Sequence, residues 1–476
     1  MRSDIETLRG LARRALPFAL ALLAASCSTI RDAREAEEIA AVSSGPASAA
    51  ARSRVRLVGF QLADFVDFAM TNRPEVISAE LAVETSLLAV KSVESGRPFM
   101  PNLTAGANYG QSTANRGSHF SWRNSGRFGA NFGLELLLLD FGRYDAGFRE
   151  ACENLVAAGF SLAETKMVVF EEVAEAYFKL LMDDALLDVA RTNEWECIHR
   201  LAQATNRFAN GEAKQLDVLR ARLDLSEAVQ SLISASNETV VAGAEFLRTI
   251  GLSADRASRE DVLPPCGGGL ESMLMEFETS RSTIDEVLAS ARTNSPLLMM
   301  KRARLRAAAA DVDWAVSDLF PELRLSSSFN FSDPSWNWSW AFEAVQSVFL
   351  GWRKTTAVDA AVVRMKSAQM EVHTTEQSLS RDLAVAVASR DDSVASLAAA
   401  KISVRQAREN LRVADEQYRL GEASRIDCAD AVADYVAALG RRVQAFYEGQ
   451  LAETKILHLT GGEPLYRHSR VDLGDE

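Results

Sequence analysis

One unit occurs twice in this chain, about 210 residues apart, and that duplication limits the folds open to it. Phe208-Ala209-Asn210-Gly211-Glu212-Ala213, followed by Leu216-Asp217, returns as Tyr418-Arg419-Leu420-Gly421-Glu422-Ala423, followed by Ile426-Asp427. Asn72 and Pro74 return as Asn294 and Pro296, Pro101 as Pro321, Gly142-Arg143 as Gly351-Trp352-Arg353, and Gly251 as Gly461. The separations decide against chance. Gly142 to Gly211 is 69 residues and Gly351 to Gly421 is 70, while Gly211 to Gly251 and Gly421 to Gly461 are both 40. Only Pro101 to Gly142, 41 residues against 30 from Pro321 to Gly351, differs appreciably.

The N-terminus carries Arg2, Arg9, Arg13 and Arg14, then an apolar stretch from Ala15 to Ala25, the layout of a secretory signal. Small residues immediately before Cys27 give the form of a bacterial lipoprotein cleavage box, with Cys27 as the acylated first residue of the mature chain. Ser28 follows it, where an Asp would favour retention at the inner membrane, so the expected destination is the outer membrane. Beyond the signal, no apolar run approaches the roughly 18 to 20 residues of a membrane-spanning helix, so any bilayer crossing falls to β-strands. The net charge of −13 argues against nucleic acid as a partner and suits a pore that prefers cations. Cys152, Cys197, Cys266 and Cys428 are isolated and read as small packing residues. His119, His199, His373, His458 and His468 have no metal-ligand spacing, and no nucleophile motif or phosphate loop stands in a suitable context. Neither an enzyme nor a cofactor or metal is expected.

Each copy opens with an amphipathic helical pattern, about 61 to 96 and about 283 to 318, ending near Pro98 and Pro321. The period then falls to 2. Phe128, Ala130, Phe132, Leu134 and Leu136 alternate with Gly129, Asn131, Gly133 and Glu135, after a weaker alternating stretch from Leu103 to Gln111. In the second copy Leu323, Leu325, Phe329 and Phe331 alternate with polar residues, and then Trp336, Trp338, Trp340 and Phe342 do so. A β-sandwich also alternates, but the chain offers only two hairpins, and four of its seven tryptophans fall between Trp336 and Trp352. Phe128, Phe132, Trp336, Trp338, Trp340 and Phe342 are therefore read as facing lipid in a barrel. Four strands cannot close one, because even small filled barrels use about eight, so the barrel is shared between subunits.

After each hairpin comes a long helical pattern, Arg143 to Phe208 and Arg353 to Tyr418, with apolar heptad lines interrupted at Lys166, Asp183, Glu194, Arg390 and Ser393. At 1.5 Å per residue, about 65 residues span roughly 100 Å. Gly211 and Gly421 then end the helix, and a shorter one returns. Domain bounds follow: signal 1–26, lipid-anchored leader 27–56, first repeat 57–262 with strands about 103–111 and 127–138, and a linker 263–280 holding Gly267-Gly268-Gly269. The second repeat is 281–462, with strands about 323–331 and 336–345, and a tail occupies 463–476.

This doubled order of helix, hairpin, long helix, tight turn and returning helix resembles the TolC-type outer membrane efflux proteins over about residues 57 to 462. The resemblance implies a mainly α fold with a small β part. Three chains would give a trimer with a twelve-stranded outer-membrane barrel continued by a periplasmic α-helical barrel. It implies a passive exit duct for small molecules such as drugs or metal ions. Its partners would be a periplasmic adaptor protein, an inner-membrane pump of RND or ABC type, and outer-membrane lipid. The turns at Gly211, Glu212, Gly421 and Glu422 would contact the adaptor. Asp427 and Asp430, with Asp217 and Tyr418, would form the periplasmic gate. Asp427 and Asp430 share a helix face, so copies around an axis would gather carboxylates there, although the same residues also read as solvated helix-start acids. Where the family's best-known member has an arginine after the second turn glycine, this chain has Ala423, and Arg425 is the candidate substitute. Two alternatives stand beside this: an exit duct for type I protein secretion, and a non-spanning periplasmic coiled-coil lipoprotein scaffold. A row of exposed indoles argues against the scaffold.

Overall fold

The computed structural model describes residues 62–114, 123–211, 213–252, 283–332, 335–346, 352–420 and 422–462. The signal with Cys27, the leader, the linker and the tail lie outside the described residues, as do Glu212, Gly421 and the side chain of Phe128. All described residues but Leu252 belong to one unit. The first copy runs α1 (Leu62–Asn72), α2 (Pro74–Ser95), β1 (Pro101–Ala114), β2 (Arg123–Leu139), α3 (Arg143–Ala209) and α4 (Gln215–Thr249). The second repeats that order as α5 (Ile284–Asn294), α6 (Pro296–Ser317), β3 (Glu322–Ser332), β4 (Ser335–Val345), α7 (Arg353–Leu420) and α8 (Arg425–Thr460).

The opening helices are not continuous. Pro74 and Pro296 are the first residues of α2 and α6, and the residues before them, Arg73 (ψ 128°) and Ser295 (ψ 118°), are pushed out of the helical region. Each break is used. Gly251, ending α4 at φ +83°, packs against Asn72, and Gly461, ending α8 at φ +65°, packs against Asn294 and Pro296. The paired landmarks of the sequence thus meet, and each copy clasps its own end to its own beginning.

The two cores are also one design. In the first, Phe65 of α1 meets Phe246 of α4 edge-on at 5.0 Å and Tyr177 of α3 at 5.8 Å. In the second, Val287 of α5, Val387 of α7 and Ile456 of α8 share a buried cluster with Leu383. Those three stand at the repeat-equivalent positions, so aliphatic side chains fill in one copy the space that aromatic rings fill in the other. The copies also interlock, because α6 and α8 of the second pack on α3 of the first. Along α7 the heptad lines bury Leu379, Leu383, Leu397, Ala400 and Tyr418. Arg390 and Ser393 do not leave the seam; they are buried within it, Arg390 pairing with Asp391 at 2.9 Å. Phe208, which ends the first long helical pattern, is exposed, whereas its counterpart Tyr418 is buried.

A further tie between copies is ionic. Glu164 and Glu171, two turns apart on α3, both face His458 in the last turn of α8; Nε2 lies 3.3 Å from Glu164, and Nδ1 contacts Glu171. Burial pulls the imidazole pKa down, but hydrogen bonds and charge from the two carboxylates outweigh it and raise it to about 9. A folded pKa above the unfolded one means the stabilisation is complete below the unfolded value near 6.5 and is lost as pH rises through about 9. A shift of this size corresponds to about 3 kcal/mol. We expect the melting temperature of the wild type to fall more steeply than that of His458→Gln between about pH 7 and pH 10. Parallel curves would exclude the imidazolium clamp.

The four strands form one antiparallel sheet in the order β1-β2-β3-β4, β2 pairing with β3 across the copies. The register puts Phe132 beside Phe329, Phe329 beside Trp338, and Leu325 beside Phe342, so one face is apolar apart from Ser327. Asn131, Asn330 and Asn337 line up on the other. β1 and β4 each have one strand neighbour, leaving an open edge on either side.

Candidate functional site

The long helices carry the sheet at one end and lead into the returning helices at the other, α3 by way of Gly211 and α7 into α8. At the turn end, Gly211 has φ +78° and open space around the position of a Cβ. Asp217 and Asp427 occupy the same place in the two copies, the third residue of a returning helix. Asp217 accepts the Lys214 N–H at 3.2 Å, and Asp427 accepts the Ser424 N–H at 2.8 Å while Ser424 Oγ accepts the Asp427 N–H at 3.3 Å. The second is a complete capping box; the first is only its acidic half, because the Lys214 side chain has no acceptor and the Asp217 N–H bonds to the Lys214 carbonyl at 3.0 Å instead. The backbone and side-chain hydrogen bonds to Ser424 hold the Asp427 carboxyl below the usual range. Asp430, one turn further on, is exposed on the same side of α8. Glu422 is exposed, its N–H bonded to the Gln417 carbonyl at 2.9 Å.

Tyr418 is buried, and what holds it was not visible in the sequence. Arg207, in the last turn of α3, donates to the Tyr418 carbonyl at 2.8 Å and lies 4.6 Å over its ring. Gln203 donates to Asp415 at 3.3 Å, and Asp415 also pairs with Arg419 at 2.8 Å. Arg425, 16% exposed, pairs with Asp224 of α4 at 2.6 Å, joining the two returning helices. Asp217 is not part of this network among the described contacts; Asp224, two turns later, is the first-copy carboxylate that is. The repeat spacing finds the paired capping acids, but Arg207 and Asp224 are single charges on long helices, and no motif marks them.

At the sheet end, Trp336, Trp338, Trp340, Phe342 and Phe132 are all exposed on the apolar face. Ser327 interrupts that face, and the Trp338 indole N–H donates to its hydroxyl at 3.0 Å, so two polar groups satisfy each other on a greasy surface. The opposite face holds Ser328 and Ser339 at 2.9 Å, Ser326 on Glu343 at 2.9 Å, and Arg324 on Glu135 at 2.5 Å. Glu322 joins Arg324 to Arg143, which reaches Asp318 at 3.3 Å, and Lys354 lies 3.4 Å from Asp318. This chain of alternating charges fastens both copies where strand becomes helix. Among the described residues no helix is long and apolar enough to cross a membrane, and no cluster of His, Cys, Asp or Glu could hold a metal ion.

A family model described as outer membrane efflux protein matches residues 66–252 and 287–462. The pyoverdine export outer membrane protein OpmQ of Pseudomonas aeruginosa is 26% identical over 252 residues, a match spanning half the length of each chain. The outer membrane protein OprJ of the same organism is 24% identical over 401 residues, 79% of this chain and 78% of OprJ. Among solved structures, CusC superposes with a TM-score of 0.75 at 17% identity, covering 87% of this chain and 98% of its own. The open-state MtrE outer membrane channel of Neisseria gonorrhoeae superposes at 0.71 with 19% identity, covering 86% and 93%.

Proposed function

The chain belongs to the outer membrane efflux protein family, and from that premise we propose that it is the outer membrane channel of a tripartite efflux pump, a passive exit duct for small molecules. One observation carries the reading: a four-stranded sheet, apolar on one face and polar on the other, is continuous with helices of 67 and 68 residues, about 100 Å long. A sheet with two open edges and a lipid-suited face is completed by further copies, and three copies supply twelve strands. The polar face then lines the lumen, and the helices reach through the periplasm towards an adaptor and an inner-membrane pump. Such a duct performs no bond chemistry. Repeats bounded at 57–262 and 281–462, with Cys27 acylated at the head of the leader, are the domain organisation that goes with it.

The cargo is read as small molecules because OpmQ is a pyoverdine export protein, although that match covers only half of either chain. The test is complementation. In a Gram-negative host lacking its own exit ducts but supplied with this chain's adaptor and pump, the wild type should lower dye and drug accumulation, and Cys27→Ala should lose lipid label. Export of a secreted protein with no effect on small molecules would replace this reading with type I secretion.

The gate proposed from Asp427, Asp430, Asp217 and Tyr418 divides into three roles. Asp217 and Asp427 start the returning helices, Tyr418 is the point at which Arg207 ties the two long helices together, and Asp430 is left to present charge to the mouth. The turns at Gly211, Glu212, Gly421 and Glu422 are the proposed adaptor contacts. Asp430→Asn should therefore reduce cation over anion permeability in a planar bilayer without altering folding, because no capping bond involves it. Unchanged selectivity would remove Asp430 from the conduction path.

A further inference from the structure

The chain passes between helix and strand four times, and an exposed aromatic stands at each passage: Phe99 before β1, Phe141 after β2, Phe320 before β3 and Trp352 before α7. Three of them hold left-handed backbone, Phe99 at φ 66°, Phe141 at 54° and Trp352 at 63°. Bulky side chains avoid that conformation, and it persists only where the surroundings reward it. Phe141 and Phe320 stack at 5.6 Å across the middle of the sheet. Phe99 and Trp352 are the most exposed, 69% and 74%, and lie where the chain enters β1 and after it leaves β4, the two edge strands.

Each of these edge aromatics has an exposed arginine beside it, Arg97 two residues before Phe99 and Arg353 directly after Trp352. The neighbouring Asp318 is already engaged by Arg143 and Lys354, so it does not neutralise Arg353. Glu94, one turn before Arg97, is the acid nearest to it in sequence. An exposed ring, amphipathic at Trp352 and apolar at Phe99, with an exposed arginine close by in the chain suits the headgroup level of a bilayer, the ring at the acyl boundary and the cation on phosphate.

When copies close a ring, the β4 edge of one meets the β1 edge of the next, and both pairs come to the same seam at the helix end of the sheet. Resting on the oligomeric duct proposed above, we propose that Trp352 and Arg353 of one copy and Arg97 and Phe99 of the next bind the phosphate headgroup of an anionic phospholipid in the periplasmic leaflet. The site is continuous with the lipid-suited face of the sheet, and it sets the depth of the barrel in the membrane.

The test reconstitutes the full oligomer in phosphatidylglycerol bilayers carrying bromine either near the headgroups or deep in the acyl chains. Tryptophan quenching is read for wild type and Trp352→Phe, and native mass spectrometry counts retained phosphatidylglycerol. The component lost in Trp352→Phe should be quenched by shallow bromine and spared by deep. Arg97→Gln/Arg353→Gln should bind phosphatidylglycerol about thirtyfold more weakly, the effect of two cations at a membrane surface, and Arg97→Lys/Arg353→Lys should recover most of it. A Trp352 component untouched by shallow bromine, or equal phosphatidylglycerol retention by wild type and the Gln variant, overturns the site. If deep bromine fails to quench the strand tryptophans as well, the spanning barrel itself falls.

Discussion

Gly461→Ala should destabilise the folded chain by about 3 kcal/mol, whereas Gly251→Ala, at the equivalent position, should cost about 1 kcal/mol. Both glycines hold positive φ, +65° and +83°, so both substitutions carry the left-handed penalty. They differ in what a methyl group would meet. At Gly251 the nearest atoms, of Asn72, are 3.7 Å from the Cβ position, an ordinary contact. At Gly461 the Asn294 carbonyl oxygen is 2.5 Å away and Pro296 Cδ 3.0 Å away, and neither can swing aside as a side-chain tip could. Alanine must open the clasp between the end of α8 and the break before α6. The measurement is the denaturant midpoint of both variants beside the wild type; a Gly461→Ala no worse than Gly251→Ala would show that the clasp is slack.

The second large effect is expected at the turn end. Arg425 and Asp224 join the returning helices of the two copies at 2.6 Å, while Arg207 holds the carbonyl and ring of Tyr418. Arg425→Ala leaves Asp224 facing a partly dry site without its cation. Asp224 is 37% exposed, so water screens part of the loss, and about 1–2 kcal/mol is reasonable. Applied to a balance between closed and open mouths, that shifts the open fraction by roughly 5- to 30-fold. The variant should therefore show more frequent or larger conductance steps than wild type, and Arg425→Asp/Asp224→Arg should return towards closure. Unaltered gating in Arg425→Ala would reduce the pair to packing.

Much of the architecture was legible because duplication and period are properties of many residues at once. The alternation around Phe132 and Trp338 identified strands and their two faces, and the 3.5-residue spacing identified α3 and α7. What the pattern could not supply was decided by single residues or distant ones. Pro74 and Pro296 sit inside unbroken amphipathic patterns, and only the extended backbone at Arg73 and Ser295 reveals the helix breaks that receive Gly251 and Gly461. Arg390 and Ser393 looked like interruptions of the seam because their polarity was weighed and their burial could not be. The pairing of β2 with β3 joins segments from different copies, and alternation carries no information about which strand lies beside which. At the turn end, the 210-residue offset picked out Asp217 with Asp427, whose carboxylates both accept a backbone N–H at a helix start. The ion pair that joins the two returning helices uses Asp224, whose partner lies 201 residues away.

The claim that this chain is a conducting, closable duct is tested most directly by single-channel recording of the detergent-purified oligomer in a planar bilayer, with Arg425→Ala/Asp224→Ala alongside. The account predicts a small, cation-selective conductance in the wild type and a clearly larger one in the double variant. Well-folded oligomer that forms no pore in either would contradict it and favour a periplasmic scaffold that does not span the membrane.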